Sequence, residues 1–218
     1  MSRAILVYGE SSSGKTTSLR GLDPTKTYYI DADGKGLSWK GWRQQFNAEH
    51  KNYKKLTNGD EILQAMVAAA QAADENGLPR YDVLVIDTIN GSMVATEMSR
   101  SKESGYGKWV DLADFGYRIC RLASELRDDM TVIITGHAET ITEDTGYVKT
   151  RLKTNGRKLE KMVLESLFTT VLLADYKDGE YVFHTRLENS TCKTPLGAFD
   201  ADQIPNDITL VLEALADY

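Results

Sequence analysis

Residues 9 to 17 have the types and spacing that surround a phosphate group. Gly9 and Gly14 allow backbone N–H groups to turn toward phosphate oxygens, and the Lys15 side chain is long enough to reach the β and γ phosphates of a nucleotide. An apolar run precedes the segment, and Thr16 to Arg20 fits a helix, which gives the strand, loop, helix order that this chemistry requires. The sequence therefore predicts a nucleotide-binding P-loop. Its candidate contacts are Gly9, Glu10, Ser11, Ser12, Ser13, Gly14, Lys15, Thr16 and Thr17.

Two residues have the chemistry of a magnesium site. Thr16 would place its hydroxyl on Mg²⁺, and Asp87 ends the apolar run that starts at Tyr81, where a carboxylate orients the water shell of the metal (Walker B). We therefore predict ATP and Mg²⁺ as cofactors, with Lys15 and Asp87 among the catalytic residues.

A water molecule that attacks the γ phosphate needs a carboxylate to orient it or to take its proton. Asp33, near the end of the second predicted strand, is our candidate; Asp31 is the alternative, and a simple turn at Ala32–Gly34 fits as well. His137 follows the predicted strand Thr131–Thr135, where it could contact the γ phosphate and report its loss. A histidine that merely ends a strand fits the same pattern.

These residues need a scaffold, and the rest of the chain predicts one. Continuous apolar runs alternate with helical patterns such as Ile62–Ala70, which predicts parallel strands joined by crossover helices. Two later strand-like segments, Leu167–Ala174 and Tyr181–Arg186, flank a turn and predict an antiparallel hairpin. We therefore expect an α/β fold with a mostly parallel central sheet flanked by helices and a C-terminal hairpin, forming one domain over residues 1–218.

Composition excludes several classes of protein. The net charge of -6 argues against a protein that coats duplex DNA by bulk charge. Cys120 and Cys192 are far apart and have no nearby His or second Cys, which argues against a zinc site or a disulfide framework and favours a reducing cytoplasm. No apolar run approaches the roughly 20 residues that span a bilayer, so we expect no membrane segment.

The order of motifs resembles the RecA-like recombinase core over nearly the whole chain. The resemblance rests on the P-loop, Ile30-Asp31-Ala32-Asp33, Asp87 followed by Thr88, a long helix, and Thr135-Gly136-His137. The chain looks closest to the small phage ATPases of the Sak-type single-strand annealing group. The resemblance implies a RecA-like P-loop fold, with the catalytic carboxylate at the position of Asp33, where the family usually has Glu. It implies a γ-phosphate sensor at the position of His137, where the family often has Gln or Asn.

The resemblance also implies that two segments face single-stranded DNA. Both segments, Asn90–Lys108 and Glu139–Asn155, are predicted to be long loops, which in compact domains are usually functional or disordered. A basic cluster near the second loop suits a phosphate backbone, and Tyr106 and Tyr147 could stack on bases; a solvated helix face is the alternative. The DNA-binding candidates are Lys149, Arg151, Lys153, Arg157 and Lys158.

RecA-like and hexameric-helicase cores commonly complete the ATP site with a basic residue of the neighbouring subunit. Arg186 and Lys193 lie in the matching region of this chain, where a cation would neutralise charge on the γ phosphate; surface charge that protects an edge strand is the alternative. We therefore expect a homo-oligomer, either a ring or a filament. Because the chain starts directly at its first strand, we expect its subunit contact to differ from the N-terminal contact of RecA.

The leading hypothesis is a Mg²⁺-dependent, DNA-stimulated ATPase that binds single-stranded DNA and promotes annealing or homologous recombination. A single-strand binding protein is a further candidate partner, and the cytoplasm of a bacterial cell or phage-infected host is the expected location. A nucleotide-gated assembly or loading protein with slow ATP turnover is the alternative, favoured by Asp rather than Glu at position 33. A small-molecule kinase is a third hypothesis, but it would need an arginine-rich lid and an acceptor pocket.

Overall fold

The computed structural model describes residues 1–103, 107–142, 146–154 and 163–218, without the side chains of residues 107–110, 112 and 113. Within these residues a single sheet contains nine strands in the order β3-β2-β4-β5-β1-β7-β8-β9, with β6 paired to β5 off this path. The strands are β1 (Arg3–Gly9), β2 (Thr27–Asp31), β3 (Tyr53–Lys55), β4 (Val83–Asp87), β5 (Thr131–Thr142), β6 (Val148–Leu152), β7 (Thr170–Lys177), β8 (Glu180–His184) and β9 (Gln203–Pro205). Strands β1, β2, β3, β4, β5 and β7 run parallel, while β6, β8 and β9 are antiparallel to their neighbours. The predicted fold class, a mostly parallel sheet with a C-terminal hairpin, is confirmed.

Five α-helices and two 3-10 helices cover the sheet in the described part of the chain. The 3-10 helices span Thr17–Gly21 and Leu164–Leu167. None of the described helices has the length and apolar content to span a membrane. The α-helices are α1 (Trp42–Gln45), α2 (Gly59–Gln71), α3 (Ile89–Ser99), α4 (Gly107–Leu122) and α5 (Ile208–Ala214).

Strand β1 is buried on both faces, as a central parallel strand should be. Its alternate residues Leu6 and Tyr8 belong to one apolar core, which contains residues of α2, α3 and α4. Ile5 and Val7 belong to a second core, on the other face, which contains residues of α5 and the first 3-10 helix. This two-residue alternation places the sheet between two layers of helices and fixes the direction in which β1 ends.

The sheet brings the predicted site residues to one edge. Because parallel strands end at the same edge, the residues that follow β1, β2 and β4 lie together there, beside His137 within β5. In the register of the sheet, Gly9 pairs with His137 of β5, and Asp31 pairs with Asp87 of β4. The carboxyl edge of the sheet therefore holds both the P-loop and the candidate catalytic residues.

The prediction of a loop over Asn90–Lys108 was wrong for its first half. Helix α3 begins directly after Thr88, whose side-chain oxygen accepts a hydrogen bond from the Gly91 N–H and caps the helix. The apolar residues of α3 do not form a clear stripe, which is why the sequence pattern did not reveal the helix. Residues 104–106 lie outside the described residues.

The prediction of a loop over Glu139–Asn155 was also wrong for the described residues. Strand β5 continues seven residues beyond the predicted end at Thr135, and β6 pairs with it from Ala138↔Leu152 to Thr142↔Val148. Threonine and charged residues outnumber the apolar residues here, so the usual signal of a half-buried strand is weak. The segment is therefore an antiparallel hairpin up to Leu152, and residues 143–145 and 155–162 lie outside the described residues.

The predicted helix after the P-loop is present, shifted by one residue, but it is more tightly wound than an α-helix. It is a 3-10 helix over Thr17–Gly21 rather than the start of an α-helix. The Ser18 hydroxyl donates to the Lys15 carbonyl at 2.6 Å, which competes with helical backbone bonds, and Pro24 disfavours a helical conformation at the residue before it. A phosphate at this loop would therefore meet backbone N–H groups and side chains rather than the dipole of a long helix.

Candidate active site

A cavity of about 340 Å³ opens at the P-loop. A larger cavity of about 510 Å³ lies between α2, α3 and α4, but its two arginines, Arg100 and Arg118, form ion pairs with neighbouring carboxylates. The smaller cavity is the one that combines lysines with hydroxyl groups and loop backbone. It is lined by Ser11, Ser12, Ser13, Gly14, Lys15, Thr16, Thr17, Lys35, Ser38, Thr88, His137 and Tyr181.

Both glycines of the P-loop are required by its close packing. Gly14 has a φ of +90°, and a Cβ there would lie 2.9 Å from Tyr181 Cδ1 and 2.9 Å from Asn206 Oδ1. A Cβ at Gly9 would lie 2.3 Å from the carbonyl oxygen of Ala174 on β7. Larger residues would displace the loop from the sheet, so close packing is a structural reason for glycine at both positions.

Lys15 is held in place by the P-loop itself. Its Nζ donates to the carbonyl oxygens of Gly9 at 2.9 Å and Glu10 at 2.6 Å, and the side chain is buried. Burial lowers the pKa of Lys15 to about 8, although the negative charge of Asp87 acts in the opposite direction. An ammonium group in this position lacks a full counter-charge, and a phosphate group would supply it.

Asp87 is buried at the end of β4 and oriented by two hydroxyl groups. Tyr29 donates to Asp87 Oδ2 at 2.6 Å, and Thr135 of β5 donates to Oδ1. A carboxylate oxygen can accept two hydrogen bonds. Both oxygens of Asp87 therefore keep the capacity to accept one from water bound to a metal. The peptide bond that follows Asp87 is cis.

The donor set suits Mg²⁺ rather than a metal enclosed by protein. Among the described residues, no group of three or more His, Cys, Asp or Glu is arranged to hold a metal ion. Mg²⁺ commonly binds through one or two protein oxygens, several waters and substrate phosphates. Thr16 and Asp87 therefore fit the group that the sequence predicts, with the nucleotide phosphates as the remaining ligands.

Asp31 and Asp33 have different environments. Asp31 Oδ1 accepts from the Gly34 N–H, and Oδ2 accepts from the Gly36 N–H and the Tyr53 hydroxyl, so this buried carboxylate braces its own loop. Asp33 Oδ1 instead accepts from the Thr88 hydroxyl at 2.7 Å, next to the cavity. Of the two carboxylates, Asp33 has the position that could serve an attacking water.

Two neighbours, the cationic Lys35 and the polar Thr88, lower the pKa of Asp33. Burial alone raises it, but the hydrogen bonds from Lys35 and Thr88 and the charge of Lys35 together lower it below its ordinary value. Asp33 is therefore ionised at neutral pH, with each of its oxygens engaged in this structure.

His137 lies beside the P-loop lysine. Burial and the positive charge of Lys15 lower the pKa of His137, so its imidazole is neutral at pH 7. The His137 backbone N–H donates to Asn90 Oδ1 at 2.7 Å, and its carbonyl accepts from the Lys153 N–H at 2.7 Å. A neutral imidazole can donate one hydrogen bond to a phosphate oxygen or to water.

Comparison with known families identifies this arrangement. Residues 1–194 match the AAA domain family. The chain belongs to this family. A search of curated proteins finds no match to the chain. Membership, together with the P-loop geometry, indicates a nucleotide-binding domain of the ATPase type.

Four residues of the AAA domain site escaped sequence reasoning. Lys35 and Tyr181 line the cavity, Thr88 orients Asp33, and Asn90 ties α3 to β5 and β6. Lys35 had a usable signal, because a lysine between two glycines and two residues after Asp33 must lie near it. Tyr181 had none, since only the pairing of β8 with β7 brings it over Gly14.

The structure does not bring Arg186 and Lys193 into the P-loop cavity of their own AAA domain. The Arg186 side chain is 56% exposed and lies 3.9 Å from Asp202 in another cavity. The Lys193 backbone pairs with Val171 of β7. Val171 lies three residues before Ala174, which pairs with Gly9 of the P-loop. We predicted that one of these residues acts in the site of a neighbouring subunit, and that role stays a prediction.

The DNA-binding candidates divide into described and undescribed residues. Lys149 and Arg151 belong to β6 and Lys153 follows it, so all three lie on or beside the hairpin. Arg151 already has a partner within the hairpin, because its Nε donates to Glu139 Oε1 at 2.8 Å. Tyr147 is 46% exposed at the start of the strand. Arg157, Lys158 and Tyr106 lie outside the described residues.

Proposed function

We propose that the P-loop cavity binds ATP with Mg²⁺ and hydrolyses the γ phosphate. The observation that carries this proposal is that Lys15 and His137 line one cavity together with Thr88, which bonds to Asp33 and follows Asp87 directly in the chain. The charge of Asp87 also acts on the pKa of Lys15. Lys15 would hold the β and γ phosphates, Thr16 and Asp87 would hold Mg²⁺, and Asp33 would orient the attacking water. When bound, Mg²⁺ would neutralise charge on the phosphates. The neutral His137 would contact the terminal phosphate or the water.

We further propose that the hairpin formed by β5 and β6 binds single-stranded DNA and that the protein promotes annealing or homologous recombination. The resemblance to Sak-type annealing proteins supports this step, and so do Lys149 and Lys153, which suit a phosphate backbone. The hairpin is also tied to the nucleotide site. Asn90 bonds to both the His137 N–H and the Lys153 carbonyl, so a shift at His137 would move the hairpin.

A homo-oligomer would complete the site. In this proposal Arg186 or Lys193 of a neighbouring subunit approaches the γ phosphate, and a single-strand binding protein is a further candidate partner. The exposure of Arg186 is consistent with this role, because its ion pair with Asp202 is long and solvent-exposed, and such pairs are weak.

A specific observation favours the alternative of a nucleotide-gated assembly or loading protein. In this structure Lys35 and Thr88 occupy the two oxygens of Asp33, so the carboxylate that should serve the water is already bonded. If those bonds persist when ATP is bound, turnover is slow and the bound nucleotide acts as a switch.

One experiment separates these functions. Phosphate release from ATP and Mg²⁺ is measured with and without single-stranded DNA, particle size is recorded in the same samples, and annealing of complementary strands is followed in parallel. The proposal predicts that single-stranded DNA stimulates phosphate release and that Asp33→Asn abolishes this release. It also predicts that annealing falls in a Lys149→Ala/Lys153→Ala variant. Annealing should not fall in the control, Lys40→Ala/Lys54→Ala, which changes two exposed lysines elsewhere. Slow release with ATP-dependent assembly supports the alternative. Absence of DNA binding and annealing would refute the recombination function.

A further inference from the structure

Lys35 occupies a turn whose backbone is fixed. Gly34 and Gly36 on either side have φ values of +70° and +85°, and both of their N–H groups donate to the carboxylate of Asp31 at 2.8 Å. The Tyr53 hydroxyl donates to the same carboxylate at 2.6 Å. This brace explains why Asp31 is buried although it does not face the cavity, and it determines where the Lys35 side chain begins.

The Lys35 side chain lines the P-loop cavity and forms an ion pair with Asp33. It is 56% exposed, whereas Asp33 is 12% exposed, so the lysine can move while the carboxylate stays fixed. The pair makes the pKa of Lys35 higher than its ordinary value even though burial alone lowers it. Lys35 therefore remains a cation at all pH values relevant to nucleotide binding.

Lys35 is placed where a terminal phosphate would be expected. Lys15, Lys35 and His137 line the same cavity, and the positive charge of Lys35 acts to lower the pKa of the other two. Thr88, directly after β4, and His137, within β5, line the same cavity as Lys35. A triphosphate adds several negative charges to this space, and an ammonium group has three donors, of which the Asp33 pair uses one.

We propose that Lys35 binds the γ phosphate of ATP by exchanging its ion pair with Asp33 for one with the phosphate, which releases Asp33 Oδ2 to orient the attacking water. The inference rests on the proposed ATPase function. The ion pair between Lys35 and Asp33 favoured slow turnover above, but in this proposal the pair exists only before ATP binds. When the γ phosphate arrives, Lys35 leaves Asp33 Oδ2 free. ADP lacks that phosphate, so the exchange distinguishes the two nucleotides.

A purely electrostatic role for Lys35 makes a different prediction. If Lys35 merely neutralises Asp33, removal of the lysine weakens ATP binding because the uncompensated carboxylate repels the γ phosphate. That effect disappears when Asp33 is also neutral. A cycle of single and double variants therefore separates phosphate binding from neutralisation.

The test measures equilibrium binding of a non-hydrolysable ATP analogue, adenylyl imidodiphosphate, and of ADP, each with Mg²⁺, by titration calorimetry. The proteins are the unaltered chain, Lys35→Met, Asp33→Asn and the double variant. The control is Lys40→Met, an exposed lysine of the same loop that does not line the cavity. A charge-assisted hydrogen bond to phosphate predicts that Lys35→Met weakens the ATP analogue about tenfold or more in both backgrounds, and ADP less than about twofold.

Each outcome decides the inference. Weakening of the analogue in the Asp33→Asn background, with ADP and Lys40→Met unaffected, supports it. Equal weakening of both nucleotides, or no effect of Lys35→Met once Asp33 is Asn, overturns it and leaves the proposed ATPase intact. Failure of the unaltered chain to bind either nucleotide overturns both.

Discussion

The pKa of Lys15 predicts that nucleotide binding takes up a proton at alkaline pH. Burial lowers the pKa of this lysine to about 8 in the free protein, and a phosphate beside its Nζ would raise it again. At pH 7 the free protein already carries the proton, so binding takes up about 0.1 proton. At pH 9 the lysine is about nine-tenths neutral, so binding takes up about 0.9 proton.

The direction of the affinity change follows from the same linkage. Because the pKa of the bound state is higher than that of the free state, the favourable contribution of Lys15 is fully present below pH 8. It is lost as the pH rises toward the bound-state pKa, by about tenfold in Kd per pH unit. Lys35 stays protonated over this range because its pKa is raised, and His137 stays neutral because its pKa is lowered. Neither group should contribute to the change.

The assay is titration calorimetry with ADP and Mg²⁺ at pH 7 and pH 9, each in two buffers of different ionisation enthalpy, which gives the number of protons taken up. Lys15→Met is the matched variant, because it keeps a long side chain and removes the titrating group. Equal proton uptake at the two pH values, or uptake at pH 9 that persists in Lys15→Met, would refute the assignment of this titration to Lys15.

Two further predictions concern the packing that positions the site, and both are checked by urea unfolding. Gly136→Ala should lower the free energy of unfolding by about 1–3 kcal/mol, because its Cβ would lie 2.3 Å from Cδ1 of the buried Leu152 side chain; an unchanged midpoint would show that β6 can move away freely. Asn90→Ala should cost about 1–3 kcal/mol, because it leaves the His137 N–H and the Lys153 carbonyl without their partner. An unchanged midpoint in Asn90→Ala would show that these two hydrogen bonds contribute nothing to stability.

Sequence reasoning worked where local pattern and tertiary structure agree. The apolar run that ends at Asp87 is a parallel strand buried on both faces, and the carboxyl ends of parallel strands meet, so Asp87, Gly9 and His137 could be placed at one edge before the structure was known. The same reasoning located Asp33 near the P-loop. It could not separate Asp33 from Asp31, because the hydrogen bonds of Asp31 to Gly34 and Gly36 depend on how the loop folds back.

It failed where long-range pairing decides the local structure. The β5 and β6 hairpin has few apolar residues beyond Ala138, and its two strands are defined by their pairing with each other. Helix α3 depends on the Thr88 cap more than on its own pattern. The helix after the P-loop was predicted, and only its 3-10 form was not, although Ser18 and Pro24 are local signals that favour it.

The most direct test of the P-loop ATPase is phosphate release from ATP by the unaltered chain and by Lys15→Ala, each with Mg²⁺ or with a chelator. Circular dichroism confirms that the variant is folded. Lys15 bonds to loop carbonyls and belongs to neither apolar core, so its loss should remove its contact with the transferred phosphate and preserve the fold. The account predicts Mg²⁺-dependent release by the unaltered chain and none above background by Lys15→Ala. Equal release by the two proteins would contradict it.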